Sequence, residues 1–325
     1  MRRTTIKPKI LYQLAKEYMS ALPCRRYPKG GRPRTYDDAL ILTIAAIQNL
    51  NQYSFRETLE YSEDHFSDLP ALSTYHDRLA EFTPDIAQGF IEYTGNKIVM
   101  ISKNTPNKRR VFVMDGTGFS YHDSYPMKFF NGMDIRKIRT HVKVGAVMGL
   151  VGKRRFVVSA CAGPAYASDM TLIQPLIEHL PSGKGYVLGD KGFDSHLIMA
   201  TIMGKGYCPV IPVKRGRHYR RIKDPLRQQS QKNADKPIYK KRTLVEGLFG
   251  NVKQKLSSHV RIFKIEIAKV FVLLRFALLN ISVLISVAKE IMLWIRFPNS
   301  AIIFTKIRLY KPFLYIFYVY HNAAK

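Results

Sequence analysis

The feature that most constrains the fold is a change of hydrophobic period along residues 110–213. Three runs come first: RVFVMDGTGF, HVKVGAVMGLVG and RFVVSACAG, each rich in valine, phenylalanine or alanine and bounded by basic or turn-forming residues. They predict three successive strands, with GLVGKRR turning the second into the third. Ser168 or Asp169 then opens a helix, DMTLIQPLIEHL, and GYVLGD reads as a short buried strand. DSHLIMATIMGKG follows as a helix ending on glycines, and YCPVIPV as a further strand. Three strands, a helix and then alternating strand and helix make an α/β fold, a mixed sheet with helices on its faces.

The first hundred residues follow the helical period instead. DDALILTIAAIQNL (37–50) carries apolar residues at helical spacing. Ser54 followed by Glu57 is a capping box opening the helix FRETLEYS, and Ser73 is placed to cap STYHDRLAEF after the breaker in SDLPAL. Two short helices after a longer one fit a helix-turn-helix and a plain helical bundle equally well. Upstream, RRYPKGGRPR (25–34) is either an arm lying along phosphates or a solvated loop. The polar segment SKNTPNKRR (102–110) separates this helical region, 1–101, from the sheet.

Charge narrows the partner. Lys and Arg number 52 against 24 Asp and Glu, a net charge of +28. A folded domain bears such self-repulsion most easily beside a polyanion, which leaves nucleic-acid enzymes and non-catalytic nucleic-acid binders both open. The cysteines, Cys24, Cys161 and Cys208, show neither a paired nor a zinc spacing, as expected in a reducing cytoplasm. The basic N-terminus lacks the apolar run of a signal peptide. Residues 270–288 are nearly apolar but contain Arg275 and Asn280. A charge at mid-bilayer costs about 3 kcal/mol, so this stretch is expected to be a buried helix, with no membrane partner.

In so basic a chain, acids at the ends of apolar strands call for an explanation. Asp115 follows VFVM and precedes Gly-Thr-Gly; Asp190 follows YVLG and precedes Lys-Gly-Phe. Open α/β sheets commonly place their sites at such strand ends, although an aspartate there is also an ordinary turn former or helix cap. Asp194 is expected to cap the helix starting near Ser195. In YKKRTLVEGLFGNVKQKL, Tyr239, Arg242, Glu246 and Lys253 stand at offsets that bring all four onto one helical face. That face is either a solvated stripe of charge pairs or a functional one. Between the last strand and this helix, residues 214–242 hold twelve Lys or Arg, reading as a basic loop or a DNA-tracking surface.

The pattern Tyr-x2-Arg-x3-Glu-x6-Lys resembles the signature of a large group of insertion-sequence DDE transposases. LGDKGFDS resembles their second aspartate segment and VMDGTGF their first. The stretch GRPRTYDDALILTI…FRETLEYS…LPALSTYHDRL is similar to the helical region preceding their catalytic domain, and the resemblance spans about residues 30–290. It implies a helical DNA-binding region at 1–101, a ribonuclease-H-like catalytic domain at 102–262, and a helix at 263–295 packing on it. The aromatic, basic tail 296–325 matches nothing in the group; an altered end or a dimer contact would both account for it. The resemblance further implies that Asp115, Asp190 and Glu246 are catalytic and hold two Mg²⁺ ions, with Mn²⁺ able to substitute. Asp115 would bridge the ions, and Asp190 and Glu246 would each complete one side. Arg242 suits a forked phosphate contact and Lys253 a point charge near a terminal phosphate. Tyr239 orients a phosphate, stacks on a displaced base, or simply packs. The implied partners are double-stranded DNA, at the element's terminal inverted repeats and at the target, and a second copy of the chain forming a homodimer on DNA. A cytoplasmic, nucleoid-associated protein is expected; a catalytically inactive DNA-binding descendant is the alternative.

Overall fold

The computed structural model describes residues 6–22, 34–102, 110–121, 126–131, 134–139, 141–151, 154–214 and 222–296. Most of the basic arm, the linker at 103–109 and the tail from residue 297 fall outside the described residues. The chain divides into a unit formed by residues up to Phe82 with the chain from Leu278, and a unit Thr83–Ala277. The sequence reading put the first boundary at 101.

The first unit contains α1 (Pro8–Ala21), α2 (Asp38–Asn51), α3 (Phe55–Glu63) and α4 (Leu72–Ala80). Helix α2 starts where the Asp37 carboxylate accepts from the Leu40 amide at 2.6 Å, and Ala39 through Asn49 are all buried. The capping box at α3 forms as expected: the Ser54 amide donates to Glu57 Oε2 at 2.7 Å and the Glu57 amide to Ser54 Oγ at 3.3 Å. Helix α4 departs from expectation, starting at Leu72 after Ala71 with no side-chain cap, so Ser73 lies inside it. Two of its buried polar side chains reach α2: the Tyr75 hydroxyl donates to Gln48 Oε1 at 2.8 Å, and Arg78 pairs with Asp38.

The second unit begins with α5 (Pro84–Ser102) and continues through β1 (Arg110–Tyr121), β2 (Pro126–Asn131), β3 (Asp134–Arg139), β4 (His141–Val151) and β5 (Arg154–Pro164). Then come α6 (Asp169–Glu178), β6 (Gly185–Leu188), α7 (His196–Gly204), β7 (Tyr207–Val210), α8 (Pro225–Ala234), α9 (Thr243–Leu256), β8 (His259–Val260) and α10 (Ile265–Arg296). The sheet order is β5-β4-β1-β6-β7; β5, β4 and β1 are antiparallel, whereas β6 and β7 run parallel to β1. This is the mixed, ribonuclease-H-like arrangement expected. The β2–β3 hairpin and the two-residue β8, which pairs with the end of β1, were not anticipated. Their sequences, PMKFFN, DIRKIR and HV, are too short or too polar to carry a strand period.

Strand alternation assigns the faces. Helices α5 and α6 lie on the face of Ser159 and Cys161: Ser159 Oγ donates to Glu92 of α5 at 2.7 Å, and Cys161 Sγ to the Leu172 carbonyl of α6 at 3.0 Å. Gly95 lets α5 rest on the strand backbone, since a Cβ there would stand 2.6 Å from the Val157 carbonyl oxygen. The opposite face of β1, carrying Asp115, Thr117 and Phe119, meets α9 and the start of α10, where Phe276 meets the Phe119 ring edge-on. Helix α10 is long and apolar enough to cross a membrane, and 83% of its most apolar stretch is buried inside the protein.

Part of the stretch read as a basic loop is α8, with Asp224 accepting from the Leu226 and Arg227 amides at its start. Its inner side chains finish the sheet. Strand β7 is an edge, and the chain beyond it needs hydrogen-bond partners. Ser230 Oγ accepts from the Ile211 amide and donates to the Ile211 carbonyl, both at 2.9 Å, while Gln231 accepts from the Val213 amide at 2.9 Å and Asn233 donates to the Pro209 carbonyl at 3.2 Å. Ser230 is fully buried. Ser230→Ala, which removes only the hydroxyl oxygen, therefore leaves two buried backbone groups unpaired, and denaturant unfolding should show a loss of about 1–3 kcal/mol.

Candidate active site

Strand β1 is covered unequally on its two edges. Along one, β4 pairs with it from Phe112 to Ser120. Along the other, β6 stops at Val113 and β8 begins only at Ser120, so residues 114–119 face a gap in the ladder. Asp115 sits in this gap. It lies within β1, opposite Ala146, and does not end the strand as the sequence implied. The strand continues because β4 pairs with it from Phe112 to Ser120, and Gly116 leaves room for Asp169, whose carboxylate would clash with a Cβ there. Asp190 does follow a strand, two residues after β6, and caps the 3-10 turn Lys191–Phe193 by accepting from the Gly192 amide at 2.7 Å.

Glu246 stands in the first turn of α9. The buried stripe of that helix, Val245, Leu248, Phe249, Val252 and Leu256, docks on the sheet and turns Glu246 and Lys253 toward its margins. Tyr239 and Arg242 are not on the α-helix, contrary to the single helical face expected. Pro237 opens a 3-10 turn, Pro237–Arg242, and the α-helix starts at Thr243. With three residues per turn, Tyr239 and Arg242 still stand one above the other.

Electrostatics draws five of the six residues together. Arg242 Nη1 lies 3.6 Å from Asp115 Oδ2, and Arg242 Nη2 lies 3.0 Å from Glu246 Oε1. Burial pushes the Asp115 carboxyl above its ordinary value, and the charges of Asp190 and Glu246 push the same way, against the Gly116 amide and Arg242. Burial likewise raises Tyr239, with Asp190 and Asp115 adding to it and Arg242 opposing. Lys253 stands apart from the acids, its ammonium 5.3 Å from the centre of the Phe119 ring, and burial lowers its pKa.

The donor set fits a hard divalent cation, since carboxylate oxygens are what such ions prefer. Among the described residues no three acidic, histidine or cysteine side chains converge as a finished ion cage. The positive charge between Asp115 and Glu246 is supplied here by Arg242.

The structure also reveals a pair that sequence reasoning misread. Asp194 does not cap α7; Ser195 holds that position. The Asp194 carboxylate is buried and accepts a fork from Arg227, Nε at 2.9 Å and Nη2 at 2.6 Å. Arg227 is in α8, whose Asp224-Pro225 opening is a helix-start signal inside the segment read as a loop.

Comparison with known proteins identifies a family. Residues 106–281 match the family model of the transposase DDE domain. An uncharacterized protein of Aquifex aeolicus is 28% identical over 281 residues, covering 85% of this chain and 87% of that protein. Among solved structures, the piggyBac transposase synaptic complex with hairpin DNA is similar with a TM-score of 0.39 at 10% identity, covering 86% of this chain and 74% of that one. A pre-cleavage Mos1 transpososome gives a TM-score of 0.17 at 9% identity, covering 82% and 84%. Because the family match spans more than half of the chain, the protein belongs to the transposase DDE domain family.

Proposed function

We propose that the protein is an active DDE transposase, cutting DNA at the ends of an insertion element and joining those ends to target DNA. The observation that carries this reading is the placement of Arg242 between Asp115 and Glu246 at the gap in the β1 ladder, with the charge of Asp190 also acting on Asp115. Asp115, Asp190 and Glu246 would hold two Mg²⁺ or Mn²⁺ ions. When bound, such ions activate a water or 3′-hydroxyl nucleophile and stabilise the leaving oxygen. The protein's own groups do the rest. Arg242 balances the charge of Asp115 and Glu246 and has a planar fork suited to phosphate. Tyr239 lies close enough to Arg242 to feel its charge and would steady it. Lys253, on the same side of β1, offers a compact charge to the backbone of a DNA strand.

Lys223, Lys232, Lys236, Lys240, Lys241 and Lys255, exposed in the segments leading into and along α9, would follow DNA phosphates. Synapsis of two element ends calls for a homodimer on DNA, and a cytoplasmic protein associated with the nucleoid fits that work.

The test is cleavage of a labelled duplex carrying the element's own end, with Mg²⁺ or with EDTA. Wild type is expected to nick at the element boundary only with metal, and Glu246→Gln to fail. Tight binding without nicking by wild type would replace this reading with a DNA-binding protein that has lost catalysis. An active Glu246→Gln enzyme would remove that residue from the site.

A further inference from the structure

Two observations need explaining together: a buried carboxylate that caps nothing, and a helix in the basic segment before α9. We infer that the Asp194–Arg227 pair is a positioning clamp that sets Asp190 relative to the segment carrying Arg242 and Glu246; this rests on the acid-site reading above.

The loop bearing Asp190 is held at both ends. On one side the Gly189 amide donates to the Val210 carbonyl at 3.3 Å. On the other, Asp194 accepts the Arg227 fork and also the Lys214 backbone amide at 2.9 Å, while Lys214 Nζ reaches the Gly192 carbonyl at 3.4 Å. Between these ties lies the single 3-10 turn Lys191–Phe193, whose first group is the Asp190 carboxylate. Asp190 therefore has little freedom except what Asp194 allows it.

Arg227 links this loop to the rest of the site. It is in the first turn of α8, which is fastened to the sheet edge through Ser230, Gln231 and Asn233. The chain runs from α8 through the turn Pro237–Arg242 directly into α9, delivering Tyr239, Arg242 and Glu246. One forked pair thus joins the element that carries one acid to the element that leads to another. The Asp194 side chain is only 2% exposed. A buried ion pair contributes little net stability against a well-packed apolar replacement, because desolvating the charges cancels most of their attraction. What it does supply is geometry: a planar fork on a carboxylate fixes both distance and direction. Partners that orient the ligands of a metal site typically matter 10–100-fold in metal affinity.

The experiment is Mn²⁺ binding by the full-length protein without DNA, read by water-proton relaxation, beside thermal melting of each variant. Wild type is expected to bind Mn²⁺ and Asp190→Asn to lose most of that binding. Asp194→Asn and Arg227→Met should each weaken binding by about 10-fold or more, and the double variant should be no weaker than the weaker single one, because the two residues act as a unit. Arg227→Lys keeps the charge without the fork and should fall in between; it also carries the test if Arg227→Met does not fold. Affinity equal to wild type in Arg227→Lys and in whichever of the other variants fold, with Asp190→Asn defective, overturns the clamp while leaving the acid site standing. Equal binding by wild type and Asp190→Asn removes the acid site and the clamp with it.

Discussion

Asp115→Asn is expected to lower metal-dependent cleavage by about 10³-fold or more while leaving DNA affinity within a few-fold of wild type. The same variant, free of metal, should melt no lower than wild type at neutral pH. The two halves have one cause. Asp115 is placed where its charge is unfavourable: burial raises its pKa from the ordinary 3.8, and Asp190 and Glu246 add to the rise. With the folded value above the unfolded one, the native state binds the proton more tightly, so stability falls as pH rises through the window above 3.8 and the full cost stands beyond it. Asparagine removes that cost. The difference in melting temperature between variant and wild type should therefore be widest at neutral pH and close as pH is lowered toward 3.8. Calorimetry across that range checks it. A variant that melts well below wild type at neutral pH would show that Asp115 serves the fold, and a variant that still cleaves would take it out of the reaction.

The second large effect is expected far from any acid. Arg275 lies inside the long apolar helix α10 and is 1% exposed. Its guanidinium donates to the Ser257 carbonyl at 2.8 Å and the His259 carbonyl at 2.7 Å, and lies 5.6 Å from the centre of the Phe119 ring. Burial pushes its pKa down to about 9, which leaves it charged at neutral pH. The carbonyls it serves belong to the turn where α9 ends, with Ser257 at a φ of 74°, and to β8. Arg275→Leu is expected to cost about 3 kcal/mol by denaturant unfolding, since both carbonyls lose a charged donor. Arg275→Lys, with one compact ammonium for two carbonyls, should lie between. If Arg275→Leu unfolds like wild type, the arginine is not what holds this turn.

How far this architecture could be read without coordinates depended on the range of the interaction concerned. The strands β1, β4 and β5 were legible because valine-rich runs bounded by turns depend on neighbours in sequence. The capping box at α3 was legible for the same reason: Ser54 and Glu57 are three residues apart and satisfy each other. Asp37 and Asp224 likewise cap α2 and α8 within three residues, although neither cap was read from the sequence and α8 was passed over inside a basic stretch. The short β8 was not legible because pairing with distant β1 makes it extended, and the hairpin β2–β3, although its partners are neighbours in sequence, has no apolar alternation to announce it.

For the site, the residue types were legible and their relations were not. The sequence by itself determined that Asp115, Asp190 and Glu246 stand beside apolar segments, and that Tyr239, Arg242, Glu246 and Lys253 recur at a helical interval. Only the tertiary structure decided that Asp115 lies within a strand rather than at its end, because β6 stops short while β4 continues. Only it decided that Arg242 lies between two acids 131 residues apart in the chain (246 − 115), and that Asp194 meets Arg227 across 33 residues instead of capping the next helix. Caps and apolar periods are satisfied within a few residues, so composition and spacing encode them directly. A buried carboxylate finds its counter-charge wherever folding places one, and that depends on the packing of the whole sheet.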